Sequence, residues 1–188
     1  MSRRQTLRPD KKYLPRIWLM TDPRFGADLL PAVRRLPSRS GIIFRHYELA
    51  TDARLRLFRQ VLRICRQRGH LLLLAGDERT ARAWHADGFH VRKHRRQSKR
   101  PIQSAAVHDR TELAQALRIG VDLAIISPLF VTASHPDARP LGRMSFMSLA
   151  KQAHGTAVIV LGGMTKRKAA TLPNRIVHGW AAIDAFRN

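Results

Sequence analysis

Apolar runs of four to six residues recur eight times along the chain, and nearly every interval between them carries helical periodicity. Such short runs suit strands buried on both faces, as in a parallel sheet covered by helices. They fall at 17–21, 41–45, 70–75, 88–91, 102–107, 122–126, 157–161 and 176–181. Eight parallel strands can close on themselves, so the pattern predicts an α/β fold, a single (β/α)8 TIM-type barrel.

Helical periodicity is read at 27–36, 52–68, 78–85, 111–119, 145–153 and 166–172. Thr51 or Asp52 can cap the start of the second helix, and Gly69 and Gly120 can close others. Two intervals break the rule. Between the fourth and fifth strands lies only RKHRRQSKRP, and little chain follows the eighth. The expectation is a trimmed barrel, with the fourth crossover helix and the final helix short or missing. Residues 1–15 read as a basic N-terminal extension and 16–188 as one domain, which 188 residues with 44% hydrophobic content can support.

Charge narrows the partners. Thirty-five Lys and Arg against 13 Asp and Glu leave a net +22, a field that draws nucleic acid, anionic membranes or phosphorylated metabolites. Arg54, Arg56, Arg59, Arg63, Arg66 and Arg68 recur along one helix and read as its solvated face. The lone Cys65 has no partner for an intramolecular disulfide, which favours a reducing, cytoplasmic setting. No apolar run approaches the ~20 residues of a membrane span, and no signal-peptide core follows the basic N-terminus.

In a parallel barrel, chemistry sits at the carboxyl ends of the strands and in the loops beyond them. This gives a roster: Thr21 and Asp22, Arg45 and His46, Gly76 and Asp77, His90, His108, Ser127, the loop 132–135, Gly162 with Gly163, and 179–184. In VIVLGGMTKRKA an apolar strand meets Gly-Gly and then a helix start, so backbone N–H groups can approach an anion at Gly162 and Gly163. In SPLFVTASHPDARPLG, Thr132, Ser134 and His135 offer hydroxyl and imidazole groups to a polar ligand. Gly179 joins them as an eighth-strand phosphate contact. The nine histidines lack the spacing and neighbouring carboxylates or cysteines of a metal site, and no G-x-S-x-G elbow occurs. Trp18, Trp84 and Trp180 read as core.

Taken in order, LMTDPR, IIFRHY, ADGFHV, SPLFVTASHPDARPLG and VIVLGGM resemble the thiamine phosphate synthase family, including its thiazole tautomerase relatives. The resemblance implies a barrel that joins a hydroxymethylpyrimidine diphosphate to a thiazole phosphate, with Mg²⁺ neutralising the departing diphosphate. Against the family's Gln-x-Arg-x-Lys, this chain has Ile43, Arg45 and Tyr47. Ala75 and Gly76 stand at its Asn-Asp pair, Ala106 at its fifth-strand serine and His135 at its lysine. The second magnesium carboxylate has no counterpart in RKHRRQSK, and Pro128 stands where the tautomerases place their histidine.

The resemblance therefore implies that thiazole-phosphate binding is kept at Thr132, Ser134, Gly162 and Gly163, with much of the diphosphate and Mg²⁺ machinery lost. Asp184 stands where the family often has a small or hydroxyl residue near the phosphate. Arg45, His108 and His135 are the catalytic candidates, and no cofactor is expected. The partner is a small phosphorylated substrate, and the charge admits nucleic acid as a second. The alternatives are a tautomerase-like isomerase, a non-catalytic phosphate-ligand binder and a nucleic-acid-binding protein.

Overall fold

The computed structural model describes residues 13–91, 101–132 and 139–187. Eight parallel strands close into a barrel in sequence order: β1 (Ile17–Met20), β2 (Gly41–Phe44), β3 (Leu71–Ala75), β4 (Gly88–Val91), β5 (Ile102–Val107), β6 (Leu123–Ile126), β7 (Ala157–Val160) and β8 (Gly179–Ala182). Helices α1 (Leu29–Arg35), α2 (Thr51–Arg68), α3 (Glu78–Ala83), α4 (Arg110–Ile119), α5 (Gly142–Gln152) and α6 (Lys166–Ala169) follow β1, β2, β3, β5, β6 and β7. The predicted barrel is the observed one. Residues 1–12 of the basic extension and the tract 92–100 lie outside the described residues.

Side-chain alternation divides each strand between the barrel interior and the helix layer. In the outer layer Phe44 meets Phe58 of α2 edge-on and Phe58 meets Trp84 at a tilt, with ring centroids 5.4 and 5.3 Å apart. Inside, Trp18 is fully buried and donates its indole N–H to the Pro15 carbonyl at 2.8 Å. Its ring fills the space where a side chain at Gly41 would project, so the two positions are a matched pair. Trp84 and Trp180 are partly buried against the same core.

At three places the departure from the sequence expectation has a clear local reason. The interval after β1 opens with a 3-10 helix, Pro23–Asp28, because the Asp22 side chain caps the Arg24 amide and Pro23 presets the first turn. The eighth strand runs 179–182 instead of 176–181. Pro173 accepts from the amides of Ile176 and Val177, and that turn holds the chain out of the sheet. α6 is only one turn long: after Ala169 the chain tightens through Thr171 and Leu172 into Pro173, which has no amide to continue it. After β8 a 3-10 turn, Asp184–Phe186, follows, and its Phe186 ring stacks on Trp180 at 5.2 Å. No helix among the described residues is long and apolar enough to cross a membrane.

His70 ties the base of this scaffold together. Its Nδ1 accepts from the Ser40 amide at 3.1 Å, so the imidazole is held neutral where β2 and β3 begin. Burial above all, with the nearby Arg68 charge adding to it, lowers its pKa below the ordinary 6.5. The unfolded chain thus binds the proton more readily than the folded one. This contribution is complete above pH 6.5 and is lost as pH falls through the lower folded value. Denaturant melts from pH 7 to 5 are expected to show stability falling, and His70→Asn, which keeps an acceptor without titrating, is expected to flatten that slope. An unchanged slope would rule His70 out as its source.

Candidate functional site

A cavity of about 670 Å³ opens at the carboxyl ends of the strands. Its floor is apolar, with Met20, Ala106, Ile125, Leu161 and Ala182 contributed by five different strands or strand ends. Its rim is polar, with Arg45, Tyr47, His108, Glu112, Ser127, Thr132, Thr165 and Asp184 beside Gly162 and Gly163, and His90 reaches it from within the barrel. An apolar body with a few convergent polar groups is the usual make-up of a small-molecule pocket.

The Gly162–Gly163 turn and the loop after β6 form one packed unit at this mouth. Leu129 donates its amide to the Leu161 carbonyl at 2.9 Å, and Phe130 donates to Gly162 at 3.2 Å. Both glycines have positive φ, 104° and 59°. A Cβ at Gly162 would lie 2.7 Å from Pro128, and one at Gly163 would lie 2.5 Å from the Val131 carbonyl oxygen. Close approach of backbone to backbone therefore requires glycine at both positions. Lys168 clamps the turn from the other side, donating to the Gly163 carbonyl at 2.7 Å while its ammonium lies 4.6 Å from the Phe130 ring centroid. Among the described residues, neither the Gly162 nor the Gly163 amide donates to a backbone carbonyl.

Charges alternate around the rim. Arg45 contacts Asp22 at 2.6 Å, Asp22 contacts Arg24 at 2.8 Å, and Arg24 contacts Asp184 at 3.0 Å, with Arg187 adding a longer contact to Asp184 at 3.4 Å. Arg45 also donates to the Thr21 carbonyl, which fixes its side chain across β1. Burial would raise the Asp22 carboxyl, but hydrogen bonds from Arg24 and the charges of Arg45 and Arg24 hold it below the ordinary carboxylate range. Asp184 is therefore paired on two sides.

Two histidines reach the cavity in different settings. His108 lies just beyond β5, and its Nδ1 is 2.8 Å from Glu112 Oε2, which also accepts the His108 amide at 2.7 Å. His90 is buried, with Nδ1 2.9 Å from Ser104 Oγ inside the barrel. The expected site residues Arg45, His108, Thr132, Gly162 and Gly163 all line this one cavity. Ser134 and His135 lie outside the described residues.

Gly179 does not belong to the site. It opens β8 at the opposite end of the barrel, where a side chain would run into the Arg16 backbone, so its role is close packing. His46 turns away as well: it is buried against Phe44 with its Nδ1 3.0 Å from Glu48. Asp77 caps α3, accepting from the Thr80 amide and hydroxyl at 2.9 and 2.8 Å. The Thr80 amide bond, outweighing the opposing effect of burial, holds its carboxyl below the ordinary range.

Glu112 and Tyr47 were not among the sequence candidates. The spacing of His108 to Glu112, four residues across a strand-to-helix junction, is the signal that points to the first. Arg54, assigned to the solvated face of α2, is instead half-buried. Its guanidinium lies 5.2–5.9 Å from the ring centroids of Tyr47, Trp84 and Phe44 and donates to the carbonyls of Arg45 and Ala75 at 2.8 and 2.7 Å. It braces the ends of β2 and β3 from behind the rim. Among the described residues there is no group of three or more His, Cys, Asp or Glu side chains disposed to hold a metal.

Comparison with known proteins identifies the family of the chain. Residues 19–186 match the family model described as thiamine monophosphate synthase. An Aquifex aeolicus (strain VF5) protein named "Putative thiamine-phosphate synthase 2" is 25% identical over 183 residues, covering 92% of this chain and 98% of that one. The thiamine-phosphate synthase of Methanoregula boonei is 28% identical over 166 residues, covering 82% and 77%. Among solved structures, the thiamine phosphate pyrophosphorylase of Pyrococcus furiosus superposes with a TM-score of 0.78 at 21% identity, over 93% of this chain and 88% of that one, a likeness of fold. With a family match spanning nearly the whole barrel, the chain belongs to the thiamine monophosphate synthase family.

Proposed function

We propose that this barrel binds a small phosphorylated heterocycle of the thiazole phosphate class in thiamine biosynthesis, without a Mg²⁺-clamped diphosphate. The observation that carries the reading is the composition of the cavity: an apolar floor sized for a ring, and a rim where Thr132 and the Gly162–Gly163 turn stand beside Arg45. The ring would lie on Ile125, Leu161 and Ala182, and the phosphate would take backbone N–H groups of the glycine turn and the Thr132 hydroxyl. Pairing of Asp184 with Arg24 removes the repulsion that an isolated carboxylate would exert there.

The donor set does not fit Mg²⁺. This ion demands near-octahedral oxygen ligation. Ala75 and Gly76 end β3, the nearby Asp77 is used as a helix cap, and Asp22, Asp184 and Glu112 are each engaged by a basic side chain.

One observation favours an isomerase over a passive binder. Glu112 holds the His108 ring from its Nδ1 side, which leaves Nε2 as a base for a proton on a bound ligand.

The test is a thermal-shift and calorimetric titration with thiazole phosphate and, in parallel, with its dephosphorylated alcohol. Stabilisation by the phosphate alone is expected, growing by about 2.7 kcal/mol at a hundredfold excess over Kd, with Thr132→Val weakening it. Equal response to the alcohol would refute phosphate recognition. Run in deuterium oxide, the same mixtures separate the two forms of the reading: exchange of a ligand carbon-bound proton that is lost in His108→Gln marks an isomerase, and its absence marks a binder.

A further inference from the structure

The outer face of α1 and α2 carries a density of arginine that the mouth does not use. Arg56, Arg59 and Arg63 are exposed at intervals of three and four residues along α2 and so fall on one stripe. Arg34 and Arg35 in the last turn of α1, and Arg39 just beyond it, are also exposed, on the helix packed beside α2. None of these six makes an ion pair among the described residues, whereas Arg66, the next on the stripe, is paired with Asp87 at 2.7 Å. Like charges at such spacings destabilise a helix. The apolar face of α2, with Phe58, Val61, Ile64 and Cys65, is already consumed by the core, so the stripe is the surface left to meet a partner.

We propose that this face docks the sugar-phosphate backbone of a nucleic acid duplex, without reading its sequence. Arg56 to Arg63 spans about 10 Å of helix axis, over which a duplex presents about six phosphate charges. Guanidinium groups match phosphate oxygens in a planar, two-point geometry. The exposed large hydrophobics among the described residues are Tyr13, Tyr47, Val131 and Met144, none of them on α1 or α2. The face therefore has nothing to insert into a bilayer and no ring on which to stack a base, which leaves backbone charge as the feature recognised. It lies on the flank of the barrel, and its α1 arginines lie toward the end opposite the mouth. A duplex and a small phosphorylated ligand would then bind together.

The test uses the full chain and a fluorescent 20-base-pair duplex of arbitrary sequence, titrated at salt concentrations from about 50 mM upward. Two triple variants remove the same charge from opposite sides of the barrel: Arg56→Gln with Arg59→Gln and Arg63→Gln on α2, and Arg110→Gln with Arg118→Gln and Lys151→Gln on α4 and α5. The basic tracts 1–12 and 92–100 are identical in both variants, so their charge cancels in the comparison. The slope of log K against log salt is expected to shrink by about 2.7 in the α2 variant and to stay unchanged in the other. Saturating thiazole phosphate is expected to leave the affinity as it was. Equal losses in the two variants would show that only net charge is sensed and would overturn the proposal. So would no duplex binding at the lowest salt, or tighter binding to phosphatidylserine vesicles with the same variant sensitivity.

Discussion

Given hydroxymethylpyrimidine diphosphate and thiazole phosphate, the purified protein is expected to form thiamine phosphate at least about 10³-fold more slowly than a family member that retains the Asn-Asp pair, and chelator is expected to leave that rate unchanged. Diphosphate leaves with negative charge accumulating on its oxygens, and the barrier depends on how well fixed positive charge meets it. Among the described residues, the cations nearest the mouth are already engaged. Arg45 is held by Asp22 and the Thr21 carbonyl, and Arg24 is shared between Asp22 and Asp184. Arg54 lies behind the rim, with its guanidinium spent on the Arg45 and Ala75 carbonyls. The last of these bonds is telling, because Ala75 stands where the resemblance places the asparagine of the metal pair. Measurement of turnover with Mg²⁺ and then with chelator settles the matter. Robust turnover that collapses on chelation would overturn the expectation and direct attention to Asp22 and Glu112 as ligands.

Most of the barrel was legible because its strands are buried on both faces, so each reads as a continuous apolar run bounded by polar helix. The errors fell where local chemistry overrode that pattern. Ile176 and Val177 are apolar and adjoin β8, yet Pro173 folds them into a turn, and this displaced both the strand start and the role given to Gly179. The glycine turn and the Thr132 loop were placed at one mouth correctly, because barrel geometry alone assigns both to carboxyl strand ends.

What the sequence could not supply was pairing between distant side chains. Asp184 looked unfavourable beside a phosphate, and the Arg24 that neutralises it lies 160 positions away along the chain. Arg54 matched the solvated arginines of α2 in spacing. Only the meeting of Phe44 and Tyr47 with Trp84, from two separate segments, shows that it is enclosed. By contrast the His108–Glu112 contact is local, and a search for acid-base pairs four residues apart at a helix start would have found it.

Replacing Gly162 with alanine is expected to lower stability by roughly 3 kcal/mol and to abolish tight binding of the phosphorylated ligand. Two costs combine. A non-glycine residue at φ 104° is strained, at about 1–3 kcal/mol. The added Cβ also meets Pro128 at 2.7 Å and the Leu129 amide nitrogen at 2.9 Å, so the loop after β6 must move, at a further ~1–3 kcal/mol. For a chain of this size each kcal/mol corresponds to roughly 2–4 °C in melting temperature, which puts the shift near 6–12 °C. Gly142→Ala supplies the control. Gly142 also has positive φ, 70°, but a Cβ there would meet nothing within 4 Å, so only the backbone cost of about 1 kcal/mol applies. The difference between the two variants reports the contact between the β6 and β7 loops together with any extra backbone strain at φ 104°. That contact positions Thr132 against the glycine turn, so ligand affinity is expected to fall with Gly162→Ala and to persist in Gly142→Ala. Calorimetric melts and titrations of both proteins decide it, and equal melting temperatures would mean that the two loops are not held together by this approach.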